Sequence, residues 1–158
     1  MVSVEDALLT FPGSNSGTHL TLRPLSIEPE LFCVELYVSL AAEPFHGAVK
    51  TWVWPEVWNA FLQAVEECER TRQGQVILEG EMSSDELKIT LEPADGWGHF
   101  LVRYEMCGRA YDEPVTLAGS FHLNVEFFGT IAAQARLMQE WTHLALNPNT
   151  NNNPAVTP

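Results

Sequence analysis

The sequence predicts an α+β domain: one twisted, mostly antiparallel sheet of about six to seven strands, with two helices packed on one face. Two stretches carry apolar residues at helical spacing, and each directly follows a predicted strand. Several other stretches alternate apolar and polar residues, as half-buried strands do. Short turns join most of these strands, and short turns connect antiparallel neighbours.

The first helix is predicted over residues 54–69. Pro55 suits the first turn, where its missing N–H leaves no hydrogen bond unmade. Gly74 is a plausible end point. The apolar positions of this helix form one stripe, which must cover a sheet: Val57, Trp58, Phe61, Leu62, Val65 and Cys68.

Strands are predicted on both sides of this helix. Before it lie 20–23, ended by Pro24, then 32–40 and 47–53. After it lie four more predicted strands, at 75–79, 87–92, 100–106 and 115–125. In the last of these, Val115, Leu117, Gly119, Phe121, Leu123 and Val125 form the predicted inward face.

The sequence predicts less about the N-terminal end of the chain than about the C-terminal end. Residues 1–17 are hard to place, since 6–11 fits either a short strand or a helical turn. The second helix is predicted over 127–145, and Phe128, Ile131, Ala135, Met138, Trp141 and Ala145 are its expected buried positions. Residues 147–158 lack apolar periodicity, which predicts disorder. The single domain therefore spans 18–146.

Composition excludes several classes of function. The net charge is −13, with only 8 Lys and Arg, which disfavours nucleic acid and anionic membrane surfaces as partners. The apolar runs are too short for a membrane span, and no secretory leader is apparent. Three widely spaced cysteines without a CxxC motif indicate a reducing compartment, so we expect a cytoplasmic protein.

Catalytic and metal-binding patterns are absent from the sequence. The five histidines show no HxH, HExxH or i, i+4 pair. His122 shares the presumed outer face of the last strand with Asn124 and Glu126, but no nucleophile or oxyanion motif accompanies it. We therefore expect no catalytic residue, no metal and no cofactor, and a protein that is not an enzyme.

Candidate binding residues fall in three places. Glu66, Glu67 and Glu69 lie on or beside the polar face of the first helix, as either a solvated surface or a docking patch for a basic protein. Trp97 lies in a hairpin loop, where it is either a packing residue or a binding anchor. The outer sheet face is expected to present Glu35, Tyr37 and Glu105. The predicted partner is a basic protein, bound by a monomer or weak homodimer.

The order of these elements resembles a known family. The matching stretches are 20–23, 52–69, 98–106 and 117–141, and the pattern resembles bacterial immunity proteins of the WapI type and related uncharacterised domains. The resemblance implies a non-catalytic protein that binds and neutralises a toxin. The alternative is a small enzyme or ligand-binding domain with a pocket between the sheet and the helices.

Overall fold

The chain folds as two successive units, each with four antiparallel strands followed by a helix. The structure is a computed structural model and describes residues 8–28, 33–80 and 87–147. Within these ranges, the first unit comprises β1 (Leu9–Pro12), β2 (His19–Glu28), β3 (Cys33–Ala42), β4 (Phe45–Val53) and α1 (Pro55–Thr71). The second comprises β5 (Val76–Gly80), β6 (Leu87–Pro93), β7 (Phe100–Ala110), β8 (Glu113–His122) and α2 (Phe128–Leu146), with a short 3-10 turn (Val125–Phe127) before α2.

The α+β class and the antiparallel pairing are confirmed, whereas the prediction of a single sheet is wrong. The described strands form two four-stranded sheets, in the orders β1-β2-β3-β4 and β5-β6-β7-β8. The two helices therefore do not share one face of one sheet. Alternation in a sequence fixes which side chains of a strand are buried, but one large sheet and two smaller packed sheets give the same alternation.

The two sheets meet at both of their outer edges. At one edge, Gly13 at the end of β1 bridges Leu123 after β8, and Asn124 N–H donates to the Pro12 carbonyl at 2.8 Å. At the other edge, β4 lies over the second sheet, where a Cβ on Gly80 would come within 2.4 Å of Thr51 Oγ1. Glycine at position 80 is therefore what lets the sheets approach so closely.

The core lies between the inner sheet faces and the two helices. α1 contacts β3 and β5, so it touches both sheets, while α2 contacts β1 and β2 and packs against α1. The predicted stripe of α1 is confirmed as buried at five positions, with Val57 half-buried. Five of the six predicted inward positions of α2 are buried, and Ala145 is half-buried.

Phe128 at the start of α2 is where three elements meet. Its ring packs edge-on against Phe100 at the start of β7, with ring centroids 5.2 Å apart. The Arg72 guanidinium lies 4.7 Å from the centre of the same ring. Arg72 ends α1 in a left-handed conformation (φ 56°), and its N–H donates to the Cys68 carbonyl at 2.8 Å.

The first unit differs from the prediction at two prolines. β2 does not end at Pro24 but runs to Glu28, with a register shift between Pro24 and Ser26. A β-bulge tolerates proline because the local ladder is already interrupted there. β1, which ends at Pro12, lies inside the segment 1–17 that the sequence leaves unplaced. The predicted tail lies outside the described residues from 148 onward.

Phe61→Ala is expected to lower the free energy of unfolding by about 3–5 kcal/mol, because it leaves a cavity in the core. Phe61 is 2% exposed and stacks on Trp58, with ring centroids 5.7 Å apart. Denaturant titration followed by circular dichroism measures the change. Gln63→Ala, at an exposed position of the same helix, is the control and should change little. An unchanged midpoint for Phe61→Ala would contradict the placement of α1 in the core.

Thr51→Val is expected to raise the free energy of unfolding by about 1 kcal/mol. Thr51 is fully buried, and its hydroxyl has no hydrogen-bond partner among the described residues. Replacing an unsatisfied buried hydroxyl by a methyl group removes a desolvation cost. Thr142→Val is the matched control, because Thr142 is also fully buried but donates to the Met138 carbonyl at 2.8 Å. Equal effects of the two substitutions in thermal denaturation would contradict this account.

Candidate functional site

The predicted outer-face residues lie on two different sheets. Glu35 and Tyr37 lie on β3, on the outer face of the first sheet, and Tyr37 is 37% exposed. Glu105 lies on β7 in the second sheet, where it is exposed and pairs in register with Lys88 and Ala118. The structure therefore does not bring Glu105 together with the other two residues into one surface.

Glu66, the first carboxylate of the predicted helix patch, points at the other helix. It accepts a hydrogen bond from Gln139 Nε2 at 2.6 Å, and Arg136 Nε lies 3.7 Å from its second oxygen. Its side chain is 28% exposed. Glu66 therefore joins α1 to α2, and a partner would have to compete with these contacts to reach it.

The other two carboxylates of that patch have neighbouring cations on the same helix. Glu67 forms a two-point ion pair with Arg70, and Glu69 lies 4.0 Å from Arg72. An ion pair at i, i+3 reduces the net field that a distant basic partner experiences. The helix patch is thus locally neutralised, a feature that the count of acidic residues in the sequence does not reveal.

Trp97 lies at the tip of the β6–β7 hairpin and is 88% exposed. Asp95 organises this loop: its Oδ1 accepts from Trp97 N–H at 2.7 Å, and its Oδ2 lies 2.5 Å from His99 Nδ1. The hydrogen bond with His99, followed by that with the Trp97 backbone, holds the pKa of Asp95 below its usual value. The sequence signal for this pair is an Asp and a His four residues apart within a predicted hairpin loop.

His122 does not share a strand face with Asn124 and Glu126, because β8 ends at His122 and the chain then enters the 3-10 turn. Asn124 Oδ1 accepts from Glu126 N–H at 3.2 Å and so caps the 3-10 turn, while the His122 carbonyl accepts from Ser14 N–H at 2.8 Å. Within the described residues, the His122 ring makes no ion pair with Glu126. These polar groups shape the junction between the sheets.

A surface that the sequence does not reveal lies between the first half of β4 and the parts of β7 and β8 nearest their turn. There, a half-open groove of about 270 Å³ separates β4 from β7 and β8. A Cβ on Gly47 would come within 2.7 Å of Leu117 Cδ2, which shows how closely β4 approaches β8 at the floor. We call this surface the hairpin groove, and its apolar lining includes Ala48, Val49, Met106, Val115 and Leu117.

Large apolar side chains are exposed around the hairpin groove. Phe45 is 63% exposed, Val115 is 53% exposed and Tyr111 is fully exposed. The prediction that Val115 points into the core is therefore wrong, because β8 extends past the part of β4 that could cover it. Val115 belongs to the groove lining, and exposed apolar surface in a groove is typical of interaction sites.

Carboxylates outnumber cations at the ends of the β3–β4 and β7–β8 hairpins. Asp112 and Glu113 are exposed, and neither has a basic partner among the described residues. Glu43, on the opposite hairpin, lies 3.4 Å from His46 Nε2. Arg109 lines the groove and likewise has no acidic partner in the described part of the chain. Among the described residues, the groove lining thus contains Arg109 and no carboxylate, while Asp112 and Glu113 lie at the neighbouring β7–β8 turn.

The β7–β8 turn holds two residues in left-handed conformations. Ala110 pairs with Glu113, and the two intervening residues, Tyr111 and Asp112, have φ values of 52° and 67°. Such two-residue turns favour Asn and Gly, because a side chain with positive φ costs about 1–2 kcal/mol. The turn keeps an aromatic ring in solvent at an energetic cost, and strained backbone of this kind is concentrated at functional sites.

Comparisons with known proteins identify no family for this chain. No protein-family model matches the sequence, and no curated protein matches it. A chain from the crystal structures of Trypanosoma bruciei MRP1/MRP2 aligns over 91% of this chain and 84% of its own length, with 20% sequence identity and a TM-score of 0.39. Within the described residues, no cluster of metal-ligating side chains occurs, and neither helix is long and apolar enough to cross a membrane.

The hairpin loop around Trp97 is expected to lose its order in acid. Because the folded-state pKa of Asp95 is lowered, the loop hydrogen bonds are present above the usual aspartate value of 3.8 and are lost as pH falls through the lowered pKa. An NMR titration of the Trp97 amide should therefore show a midpoint below 3.8. In Asp95→Asn this titration should disappear. A midpoint at or above the usual value would contradict the proposed role of Asp95.

Proposed function

We propose that this chain is a non-catalytic protein-binding module of the immunity type, which neutralises a basic toxin by holding one of its apolar side chains in the hairpin groove. The observation that supports this most strongly is the apolar groove, in whose lining Val115 is 53% exposed. The groove is a different surface from the helix patch that the acidic residues of the sequence suggested.

The size of the groove favours a protein side chain over a substrate. Pockets for small molecules typically have volumes of about 300–1,000 Å³ and enclose most of their ligand. At about 270 Å³ and open on one side, the hairpin groove lies below that range. Burying one large apolar side chain there contributes about 1.5–3 kcal/mol, which is the size expected of an interface anchor.

The charge of the chain favours a basic partner. A net charge of −13 attracts cations over a long range, and Asp112 and Glu113 at the β7–β8 turn have no basic partner among the described residues. Charges at the rim of an interface mainly accelerate association. Tyr111 is fully exposed and precedes Asp112 in the same turn, so this turn offers both aromatic and acidic contacts.

The toxin part of the proposal rests on the resemblance of the sequence to immunity proteins of the WapI type. Neutralisation by binding requires a surface and no catalytic group. The proposal includes a cytoplasmic location and a monomer or weak homodimer that leaves the groove accessible to the toxin.

The first test is a growth assay in which the toxin candidate encoded beside this gene is co-expressed with this chain. The wild-type chain should restore growth, and Val115→Arg should not, because it blocks the groove with a bulky cation. The matched control is Ile77→Arg on β5, since Ile77 is also exposed, at 45%. With purified proteins, Val115→Arg should weaken binding about 30-fold, the equivalent of about 2 kcal/mol of lost burial. Equal protection by both variants would overturn the assignment of the groove.

The second test separates charge from apolar contact. Asp112→Asn/Glu113→Gln should slow association several-fold and leave dissociation nearly unchanged, and the difference from the wild type should vanish at high salt. Glu67→Gln, which removes a locally neutralised carboxylate, is the control. Stopped-flow fluorescence measures both rates. An association rate that ignores salt and both substitutions would contradict the electrostatic part of the proposal.

A further inference from the structure

The outer face of the first sheet carries a row of one tyrosine between two cations. On adjacent strands, Arg23 of β2 pairs in register with Tyr37 of β3, and Tyr37 pairs with Lys50 of β4. All three side chains are exposed. Neighbouring strands lie about 4.8 Å apart, so the long side chains of Arg23 and Lys50 can meet above the tyrosine ring. We call this set the cation row.

Unpaired cations are unusual in so acidic a chain. Neither Arg23 nor Lys50 has a carboxylate partner among the described residues, although acidic residues outnumber basic ones 21 to 8. The cations elsewhere that do have such a partner are Arg70, Arg72, Lys88, Arg103 and Arg136. Arg23 and Lys50 lie two strands apart on the same face, and both are free to pair with one bound anion.

The carboxylate closest to the cation row in register is engaged elsewhere. Glu35 lies one row along the sheet, where it pairs in register with Ser26 and Trp52. Its Oε2 accepts a hydrogen bond from Ser26 Oγ at 3.1 Å. The half-buried Trp52 borders the row on the same side, so an aromatic surface adjoins the two positive charges.

We propose that the cation row binds an oxyanion, the phosphate or carboxylate group of a small ligand. Arg23 and Lys50 supply charge-assisted hydrogen bonds, and Tyr37, which stands between them in register, offers its hydroxyl as a further donor. Two cations are too few to hold a nucleic acid, whose binding depends on many phosphate contacts. This site is distinct from the hairpin groove, because none of its three residues belongs to the groove lining.

Amide NMR titrations of the full chain test the proposal with three matched probes: phenyl phosphate, benzoate and the neutral benzyl alcohol. Saturable shifts at the amides of Arg23, Tyr37 and Lys50 are expected with one or both anions. Arg23→Gln/Lys50→Gln should weaken binding at least tenfold. Lys88→Gln should leave it unchanged, because Lys88 is a cation of the other sheet that is already paired with Glu79 at 3.3 Å.

The pattern of binding identifies the ligand. Binding of phenyl phosphate alone assigns a phosphate ester, binding of benzoate alone assigns a carboxylate, and binding of both assigns a general oxyanion site. Equal binding of benzyl alcohol would overturn the proposal, as would the absence of saturable shifts. Unchanged binding by the double variant, with its fold verified by circular dichroism, would also overturn it.

Discussion

The packing of α1 against α2 is the contact on which the arrangement of the two sheets depends. Each helix follows the last strand of its own sheet, yet α1 also contacts β5 of the other unit. The hydrogen bond from Gln139 to Glu66 and the stacking of Arg72 on Phe128 fix the two helices along their length and at one end. With the helices joined in this way, the inner faces of both sheets close over one core. The same packing brings β4 and β8 together, and the hairpin groove lies where β4 no longer covers β7 and β8.

Much of the fold could be read from the sequence, because burial along one element is a local property. The stripe ending at Cys68 and the alternation from Val34 to Leu40 follow directly from residue order, and both are buried as expected. The pairing of elements is not local. The sequence does not distinguish a β4 that pairs with β5 from one that packs across it. Glycine is needed at position 80 only because Thr51, on another strand, lies against it.

Candidate binding residues are hard to predict from the sequence for the same reason, because their neighbours in space are not their neighbours in the chain. Counting carboxylates singled out Glu66, Glu67 and Glu69, but their value to a partner depends on neighbours such as Arg136, which comes from the other helix. Conversely, Val115 looks like an ordinary core residue until the structure shows that no strand covers it. The cation row arises from three strands in register, so its members are far apart in the chain. Surface sites of this kind depend on which residues remain unpaired after folding.

The succession of two units has a consequence for the kinetics of folding. Every strand ladder pairs neighbours in the chain, so each unit can form from contacts of short sequence separation, which close rapidly. The contacts that unite the units close much longer loops: the hydrogen bond from Thr10 N–H to Gln134 Oε1 spans 124 residues. Closing such loops costs chain entropy that the local ladders do not. We therefore expect the docking of the two halves to be the late, slow event of folding.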